Sequence, residues 1–429
     1  MARPDPWAAL RKQVAQLPVI DCHEHLPNEA DRLRQPVDFF TLFSHYCVGD
    51  LVAAGAPADT MAKLQAADTP VDAKWALFAP FYASIADGAY ARCAHRAIRR
   101  FYDMDPPASA KDAAALTDRV RAANVPGLYR KVLREACGIV TSLNNTGVGA
   151  DAEFFRPVRG VDALAAADPW PGRRALEKEV GRDLPTLARY VRGASDAVEA
   201  DLGRGLKGLK FGAAYSRPLA FADVAEAEAA RVFDCVFADP GAREGGPVPF
   251  DEVRPLQDYL VHRLVALAGD LGVTAVFHTG LQAGNENTLD NARPERLTNL
   301  FRGHPKTRFD VFHCGLPWVE EAGILAKYFA NVWVDFAWVH AISPEMAVRA
   351  LRTYVDMVPR NKVLGFGGDY LVVEKVYGHL ELARDGIARA LADRMADGAL
   401  TEDAALAWAR AILHDNPIAA YALDIKPLG

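Results

Sequence analysis

Eight short apolar segments of this chain are typical of buried β-strands, and four of them lead directly into residues that can bind a divalent metal. Histidine nitrogens and carboxylate oxygens are the ligands that zinc and similar ions take in proteins. The residues are His23 and His25 after the first strand, then His278, His313 and Asp369. Packing alone is a poor explanation for this distribution. The distribution of these residues instead predicts one metal site at the place where the strands end.

The first apolar segment shows how a single strand can supply two ligands. Residues two positions apart in a β-strand face the same side. His23 and His25 are therefore predicted to share a face with Asp21, while Glu24 points to the other side. Two neutral imidazoles at this spacing can bind one ion, with nitrogens about 2.0–2.1 Å from zinc.

Three later segments have the same form: an apolar run rich in β-branched or aromatic residues, a potential ligand, and glycine close by. They are residues 273–280 with His278, 308–315 with His313, and 362–370 with Asp369. A single histidine at a strand end is most often a hydrogen-bonded structural residue. Three such strand ends in addition to a His-x-His pair favour the metal site over that reading.

The remaining segments complete a set of eight strands, at 138–145, 154–160, 205–212 and 331–338. Helical stretches separate several of them, for example 250–271 and 319–329. Strands that alternate with helices imply a parallel sheet with right-handed crossovers. Eight such units predict an α/β fold, a (β/α)₈ TIM barrel with its active site at the carboxyl ends of the strands. An open, doubly wound sheet would not gather the first, fifth, sixth and eighth strands around one ion.

The chain has 429 residues, which exceeds the ~250 that are typical of this barrel and predicts a large insertion. Residues 27–136 contain no convincing strand and look helical. We predict three parts: an N-terminal helix and first strand over 1–26, a helical insertion over 27–136, and the rest of the barrel with C-terminal helices over 137–429. The insertion is interpreted as a cap over the barrel mouth, with a surface elaboration as the alternative.

The bulk properties favour a small-molecule enzyme. The net charge is −6 and the basic residues are scattered, which argues against nucleic acid or an anionic membrane as a partner. Six cysteines without a Cys-x-x-Cys pair predict buried free thiols in a reducing cytoplasm. The N-terminal helix contains Arg11 and Lys12, so it reads neither as a signal peptide nor as a membrane span. The sequence leaves open whether the protein forms a homo-oligomer.

Four motifs carry a resemblance to a known family: residues 21–25 (DCHEH), 209–217 (LKFGAAYSR), 277–280 (FHTG) and 367–369 (GGD). With them, the chain resembles the amidohydrolase superfamily and its amidohydrolase-2 branch, from Val19 to about Leu423. It looks most like the amidohydrolase-like domain that is fused to glutamine synthetase in nodulin-type proteins. The insertion after the first strand gives a weaker likeness to uronate isomerases.

The resemblance implies that His23, His25, His278 and Asp369 bind the metal, one Zn²⁺ or another divalent ion such as Mn²⁺ per chain. In mononuclear members, the histidine that matches His313 is a catalytic or substrate-polarising group. In binuclear members it binds a second ion, and a carboxylated lysine from the fourth strand bridges the two.

The fourth strand does contain lysines, Lys207 and Lys210, which are three residues apart and so face opposite sides. Lys210 lies nearer the carboxyl end and is the candidate for the barrel interior. We favour an ammonium that binds a substrate carboxylate over a carboxylated lysine. Tyr215 and Arg217 follow this strand and are further candidates, because guanidinium pairs bidentately with carboxylate. A loop ion pair is the alternative for Arg217.

These residues predict hydrolysis of a C–N or C–O bond in a small, carboxylate-bearing compound. Zinc lowers the pKa of water to ~7, which makes a nucleophile available at neutral pH. Asp369 would exchange a proton with that water, and His313 would polarise the scissile carbonyl. A non-oxidative decarboxylase and a uronate (aldose–ketose) isomerase would use nearly the same ligands. The alternative from a different functional class is a binding domain that the metal stabilises and that catalyses no reaction.

Overall fold

Eight parallel strands form one sheet in which each strand lies beside the next in chain order. The computed structural model describes residues 6–146, 149, 151–165, 169–238, 241 and 248–428. The strands are β1 (Val19–Glu24), β2 (Ile139–Asn144), β3 (Phe155–Gly160), β4 (Gly208–Phe211), β5 (Thr274–Phe277), β6 (Arg308–Val311), β7 (Val332–Asp335) and β8 (Val363–Leu364).

Backbone hydrogen bonds between β1 and the residues after β8 bring the two edges of the sheet together. The amide of Cys22 donates to the carbonyl of Phe366 at 3.0 Å, and the amide of Asp369 donates to the carbonyl of His23 at 2.8 Å. The predicted (β/α)₈ barrel is therefore confirmed. The closure also places the residues that follow β8 directly against the end of β1.

Helices connect the strands on the outside of the barrel. Helix α1 (Pro6–Val14) precedes β1, and the segment between β1 and β2 contains α2 (Glu29–Arg34), α3 (Tyr46–Ala53), α4 (Ala58–Gln65), α5 (Val71–Ile85), α6 (Ala89–Tyr102), α7 (Ala110–Ala123) and a π-helix (Arg130–Ala136). The later helices are α8 (Pro169–Val180), α9 (Leu187–Leu202), α10 (Glu226–Ala238), α11 (Phe250–Leu271), α12 (Thr298–Gly303), α13 (Val319–Tyr328), α14 (Val339–Ile342), α15 (Pro344–Met357), α16 (Val373–Ala396), α17 (Glu402–Arg410) and α18 (Asn416–Tyr421).

Local sequence signals explain where several of these helices begin and end. The hydroxyl of Ser109 accepts a hydrogen bond from the amide of Asp112 and so caps α7. Helix α11 ends at Gly272, whose φ of +68° is a left-handed conformation that glycine adopts without steric cost. Strands β4 and β5 are buried along their whole length, as expected for a parallel sheet that is covered on both faces.

The helices between β1 and β2 pack around a hydrophobic core of their own, which includes Phe39, Phe43, Phe78 and Leu116. A buried ion pair joins this helical segment to the barrel, since the guanidinium of Arg32 lies 3.1 Å from a carboxylate oxygen of Glu374 in α16. The segment is helical, as the sequence predicts. The domain boundaries at residues 27 and 136 stay predictions.

The C-terminal helix α18 lies against the amino ends of the strands. The carbonyl of Ala420 accepts hydrogen bonds from Thr274 at the start of β5, at 2.6 Å, and from Arg308 at the start of β6, at 2.8 Å. Ile418 and Tyr421 pack into a cluster with strand residues such as Ile20, Leu143 and Val276. This end of the barrel is therefore filled, and the opposite end, where the strands finish, is free to form a site.

Two predictions from the bulk sequence can be compared with the structure. The cysteines are free, and five of them are buried, but Cys235 is exposed, so the prediction of six buried thiols is wrong at that position. Cys235 lies in α10, on the outer layer of helices, where one side of each helix faces solvent. Among the described residues, we find no helix with the length and apolar character needed to cross a membrane.

Candidate active site

The carboxyl ends of β1 and β8 bring two histidines and an aspartate together. The Nε2 atoms of His23 and His25 each lie 3.3 Å from Oδ1 of Asp369. One ligand atom from each of the three residues falls within 4.8 Å of the others. Within the part of the chain that the structure describes, this is the one group of three or more histidine, cysteine, aspartate or glutamate residues that could hold a metal ion.

Asp369 reaches the histidines because two glycines let its loop approach β1 closely. A Cβ atom on Gly368 would lie 1.8 Å from a carboxylate oxygen of Glu24, and one on Gly367 would lie 2.6 Å from the Cβ of Ala337. Asp369 itself has a φ of +57°, which is uncommon for a residue with a side chain. The Gly-Gly-Asp motif is thus a steric requirement of the site.

Two buried carboxyl groups hold the backbone on either side of Asp369. Oδ1 of Asp21 accepts from the amide of Gly368 at 3.0 Å, and Oε2 of Glu24 accepts from the amide of Tyr370 at 2.8 Å. The prediction that Asp21 and Glu24 face opposite sides of β1 is therefore wrong. The pairing register of β1 with β2 shifts between these two residues, which breaks the simple alternation of a strand.

His278 and His313 form a second pair next to this group. Nδ1 of His278 lies 3.1 Å from Nε2 of His313, and Nε2 of His313 lies 3.9 Å from Oδ2 of Asp369. His278 follows β5 and His313 follows β6, as the sequence predicts. The structure therefore gathers all five predicted metal-binding or catalytic residues, although His278 contacts the group through His313.

The backbone sets the tautomers of this histidine pair. Nδ1 of His313 lies 2.8 Å from the carbonyl oxygen of Ala337, and Nε2 of His278 lies 3.0 Å from the carbonyl oxygen of Leu281. A carbonyl oxygen only accepts, so these nitrogens carry the protons in the neutral rings. The two remaining nitrogens then present lone pairs to each other. A cation beside them would relieve that repulsion, and metal-bound histidines commonly donate to backbone carbonyls in this way.

The protonation states suit a divalent cation. Burial lowers the pKa of His25, and it lowers the pKa of His23 and His278 to well below the usual histidine value. Burial also lowers the pKa of His313 to about 4. For Asp369, burial raises the pKa, but the neighbouring histidines outweigh it and hold the pKa well below its ordinary range. Neutral imidazoles around an ionised carboxylate are the forms in which these side chains bind a metal.

Lys210 is buried beside this cluster, and its ammonium has no hydrogen-bond partner among the residues that the structure describes. Its Nζ lies 3.6 Å from the ring centre of Phe312, and burial lowers its pKa to about 8. Lys207 instead donates to the carbonyl of Ala422 at 3.1 Å. The two lysines thus point to different places, and Lys210 is the one that lines the cavity with His23 and Asp369.

The two predicted anchors that follow β4 have different surroundings. Tyr215 lines the cavity, and its ring centre lies 4.7 Å from that of His278. Arg217 is buried elsewhere, with one guanidinium nitrogen 2.5 Å from Asp258 and another 3.0 Å from Gln257. Its placement argues against the prediction that Arg217 holds a substrate carboxylate, because its charge is already paired inside the protein. The alternative, an ion pair that supports the loop, is the one observed.

The helical segment adds two cavity residues that the sequence analysis missed, His45 and Tyr46. The His45 backbone has a φ of +66° and a ψ of −119°, and its ring stacks on Tyr46 at 3.9 Å. Nδ1 of His45 is buried and finds no hydrogen-bond partner in the described part of the chain, and burial lowers the pKa of this histidine to about 3. Tyr46 in turn stacks on Trp338 at 4.3 Å. No strand or motif in the sequence marks these residues, because only the packing of α3 on the barrel brings them to the site.

The resulting space, which we call the inner cavity, has a volume of about 470 Å³. Besides the residues above, Asn145 and Asp162 line it. Asp162 accepts from the amide of Gly212 at 2.8 Å, and burial raises the pKa of this carboxyl. A cavity of this size can hold a small organic molecule against the histidine and aspartate cluster.

Comparison with known proteins gives one family and several structural relatives. The model of the family Amidohydro_2, described as amidohydrolase, matches residues 20–423. Protein fluG of Emericella nidulans is 28% identical over 185 residues, which cover 42% of this chain and 21% of that protein. The match to this curated relative therefore spans about a fifth of its length.

Solved structures share the fold over nearly the whole chain at low identity. A glucuronate isomerase from Caulobacter crescentus has a TM-score of 0.79 at 16% identity and covers 100% of this chain and 96% of its own. A uronate isomerase from Thermotoga maritima has a TM-score of 0.79 at 15% identity, with 97% of both chains covered. A protein described as a metal-dependent hydrolase from Lactobacillus casei has a TM-score of 0.67 at 19% identity, with 96% and 97% covered. These matches show the fold, and the family model over residues 20–423 confirms the resemblance inferred from the motifs.

Proposed function

The chain belongs to the amidohydrolase family, and from this premise we propose that it is a divalent-metal-dependent hydrolase. Its substrate would be a small, carboxylate-bearing compound with a scissile C–N or C–O bond. The observation that carries the proposal is the convergence of His23, His25 and Asp369 at the end of the barrel. Beside them lies the buried ammonium of Lys210, for which the described residues offer no hydrogen-bond partner. Family membership implies an enzyme, and the hydrolytic reaction is the proposed part.

The metal would be held by His23, His25, His278 and Asp369, one ion per chain. Neutral nitrogens and one carboxylate suit zinc, and manganese is the alternative. When bound, such an ion supplies Lewis acidity, which activates water at neutral pH and polarises a carbonyl group. The rest of the chemistry falls to side chains of this protein.

Asp369 is proposed to move the proton. Its carboxylate is ionised and lies at the junction of the two histidine pairs, so it can accept a proton from the attacking water. It can then pass that proton to the leaving nitrogen or oxygen, which is general base and then general acid catalysis. The Asp21 and Glu24 contacts to the flanking amides keep the carboxylate in place during both steps.

His313 and Lys210 are proposed to orient the substrate. His313 is fully buried with its tautomer set by the carbonyl of Ala337, and its Nε2 lies 3.1 Å from Nδ1 of His278, which lines the inner cavity. The ammonium of Lys210 has no competing acceptor within hydrogen-bond distance among the described side chains, and a substrate carboxylate would supply one. Tyr215, which also lines the inner cavity, would contact the bound molecule from the other side.

The test uses the full-length protein loaded with zinc or manganese. It is incubated with panels of N-acyl amino acids, aromatic acids and uronates, and the products are assayed as free amine, carbon dioxide and ketose. Release of amine, abolished by chelation and restored by metal, supports hydrolysis. Carbon dioxide or ketose as the sole product would replace the hydrolase with the decarboxylase or the isomerase.

Aldose–ketose isomerisation of a uronate is the second candidate function. The observation in its favour is that both structures with a TM-score of 0.79 are uronate isomerases and cover at least 97% of this chain. Such a reaction would use the same carboxylate of Asp369 to move a proton between neighbouring carbons. The ketose assay in the panel above separates it from hydrolysis.

A further inference from the structure

A second cavity lies beside the inner cavity and is larger, with a volume of about 610 Å³. We call it the outer cavity. It is formed between the residues that follow β1, the helical segment, and Leu371 and Val372 after β8. Its volume is in the range of cavities that bind organic ligands. Nothing in the proposed reaction uses it so far.

The two cavities adjoin each other directly. His25 lines both of them. In two places neighbouring residues of the chain divide between the cavities: Ser44 lines the outer one and His45 the inner one, and Thr146 lines the outer one and Asn145 the inner one. A molecule bound at the histidine and aspartate cluster would therefore have its next available space in the outer cavity.

Most of the charges in the wall of the outer cavity are already neutralised by the protein. The ammonium of Lys74 lies 2.6 Å from Asp38, and the guanidinium of Arg32 lies 3.1 Å from Glu374. Asp31 is paired with Arg34. These pairs form a polar wall with little net charge, so they do not by themselves select an anion or a cation.

Arg121 is the exception in this wall. Arg121 is exposed and lines the cavity, and its Nε donates to the carbonyl of Val37 at 3.1 Å. No acidic group forms an ion pair with it among the residues that the structure describes. Its two terminal nitrogens are therefore left to bind a planar anion, and a carboxylate matches them bidentately.

We propose that the outer cavity is a binding subsite for a carboxylate on a second arm of the substrate, with Arg121 as its anchor. This deepens the hydrolase proposed above and rests on it for the inner site. The substrate would then have two parts: the scissile group in the inner cavity, near Lys210, and an arm that ends in a carboxylate in the outer cavity. The arginine that binds a carboxylate of the substrate is thus Arg121 in α7, and not Arg217.

The subsite can be tested by binding alone, so that a failed search for the reaction does not affect the result. Isothermal titration calorimetry would measure glutarate and its neutral diamide, glutaramide, on the full-length protein. Arg121→Met should weaken glutarate binding by roughly ten- to a hundredfold, as expected for a charge-assisted pair. It should leave the weaker binding of glutaramide unchanged. The matched control is Arg119→Met, an exposed arginine on the same helix that donates to the carbonyls of Tyr102 and Asp103 and does not line the cavity.

A second pair of variants tests the space instead of the charge. Ala67 is exposed and lines the outer cavity, whereas Ala62 is exposed in α4 and does not. Ala67→Trp should fill the cavity and abolish glutarate binding, and Ala62→Trp should leave it intact. Lys210→Met removes the ammonium of the inner cavity and should weaken glutarate binding less than Arg121→Met does.

Four outcomes would overturn the subsite. They are an absence of glutarate binding to the parent protein, an equal loss in Arg121→Met and Arg119→Met, a loss confined to Lys210→Met, which would place the glutarate in the inner cavity, and unimpaired binding in Ala67→Trp, which would show that the anion sits on the surface. If glutarate binds as expected but the protein hydrolyses no compound of the panel, the subsite is supported and the proposed hydrolase activity is rejected.

Discussion

The strand ends of the barrel and the helical segment both contribute side chains to the inner cavity, but they position them by different means. At the strand ends, backbone hydrogen bonds between neighbouring segments do the positioning, such as that from Asp369 to the carbonyl of His23 at 2.8 Å. In the helical segment, His45 depends on ring stacking against Tyr46 and occupies a strained backbone conformation. The barrel residues are thus held by the sheet itself, and the helical residues by side-chain packing.

This difference has a consequence for mutation. Changes at the strand ends should alter metal binding or turnover with little effect on folding, since the backbone bonds that hold the loops remain. Changes in the helical segment should act through its attachment to the barrel, which relies on a few buried polar contacts such as Arg32 with Glu374. The following variants test that contrast, from the largest expected effect to the smallest.

Asp369→Asn should lower turnover by about 10²–10⁴-fold, because an amide cannot accept the proton from water. Part of the metal should remain, since His23, His25 and His278 are unchanged. The measurement is the rate per bound ion, with the metal content determined on the same sample. A rate within a few-fold of the parent would show that Asp369 is only a ligand or a structural residue.

Glu374→Leu should lower the free energy of unfolding by about 3–5 kcal/mol, because it leaves the buried guanidinium of Arg32 without its counter-charge. The hydroxyl of Tyr102, which donates to Glu374 at 2.8 Å, also loses its acceptor. Urea unfolding gives the value. Asp393→Leu on the same helix is the control, since Asp393 pairs with Arg352 at a partly exposed site and should cost no more than about 1 kcal/mol. Equal losses in the two variants would contradict the buried attachment.

His278→Ala should weaken metal binding by more than the 10–100-fold that is typical when an outer contact of a metal site is removed. His262→Ala is the control, because His262 forms a half-buried pair with His304 outside the inner cavity. Competition with a chelator measures the affinity. If both variants retain the parent's affinity, His278 is a structural partner of His313 and not a ligand.

His45→Gly should separate activity from stability. Glycine accepts a φ of +66° without steric cost, so relief of strain should keep the free energy of unfolding unchanged or raise it by about 1 kcal/mol. Turnover of the substrate that the panel reveals should nevertheless fall, because the imidazole leaves the inner cavity. Asp103→Gly is the control, since Asp103 has a φ of +47° at the end of α6 and lies outside the cavity. A stable His45→Gly with full activity would make His45 a purely structural residue.

Most of the barrel could be predicted from the sequence, because strand and helix periods and glycine-terminated strands are local signals. The same holds for the histidines and the aspartate, which occupy equivalent places at the ends of parallel strands. The faces of Asp21 and Glu24 could not be predicted, since a shift of pairing register depends on the neighbouring strand. Arg217 was assigned by its position near a strand end, and its partner Asp258 lies 41 residues away in α11.

The sequence by itself determined the (β/α)₈ barrel, the order of its strands and the identity of the candidate metal ligands. These follow from short-range patterns and from the rule that parallel strands end on one side of the sheet. Only the tertiary structure decided which side chains of the helical segment reach the site and that a second cavity adjoins the first. It also decided that Arg217 is paired with Asp258, whereas Arg121 has no ion pair among the described residues. Those facts depend on contacts between residues far apart in the chain, and no local pattern of residues encodes which of them meet.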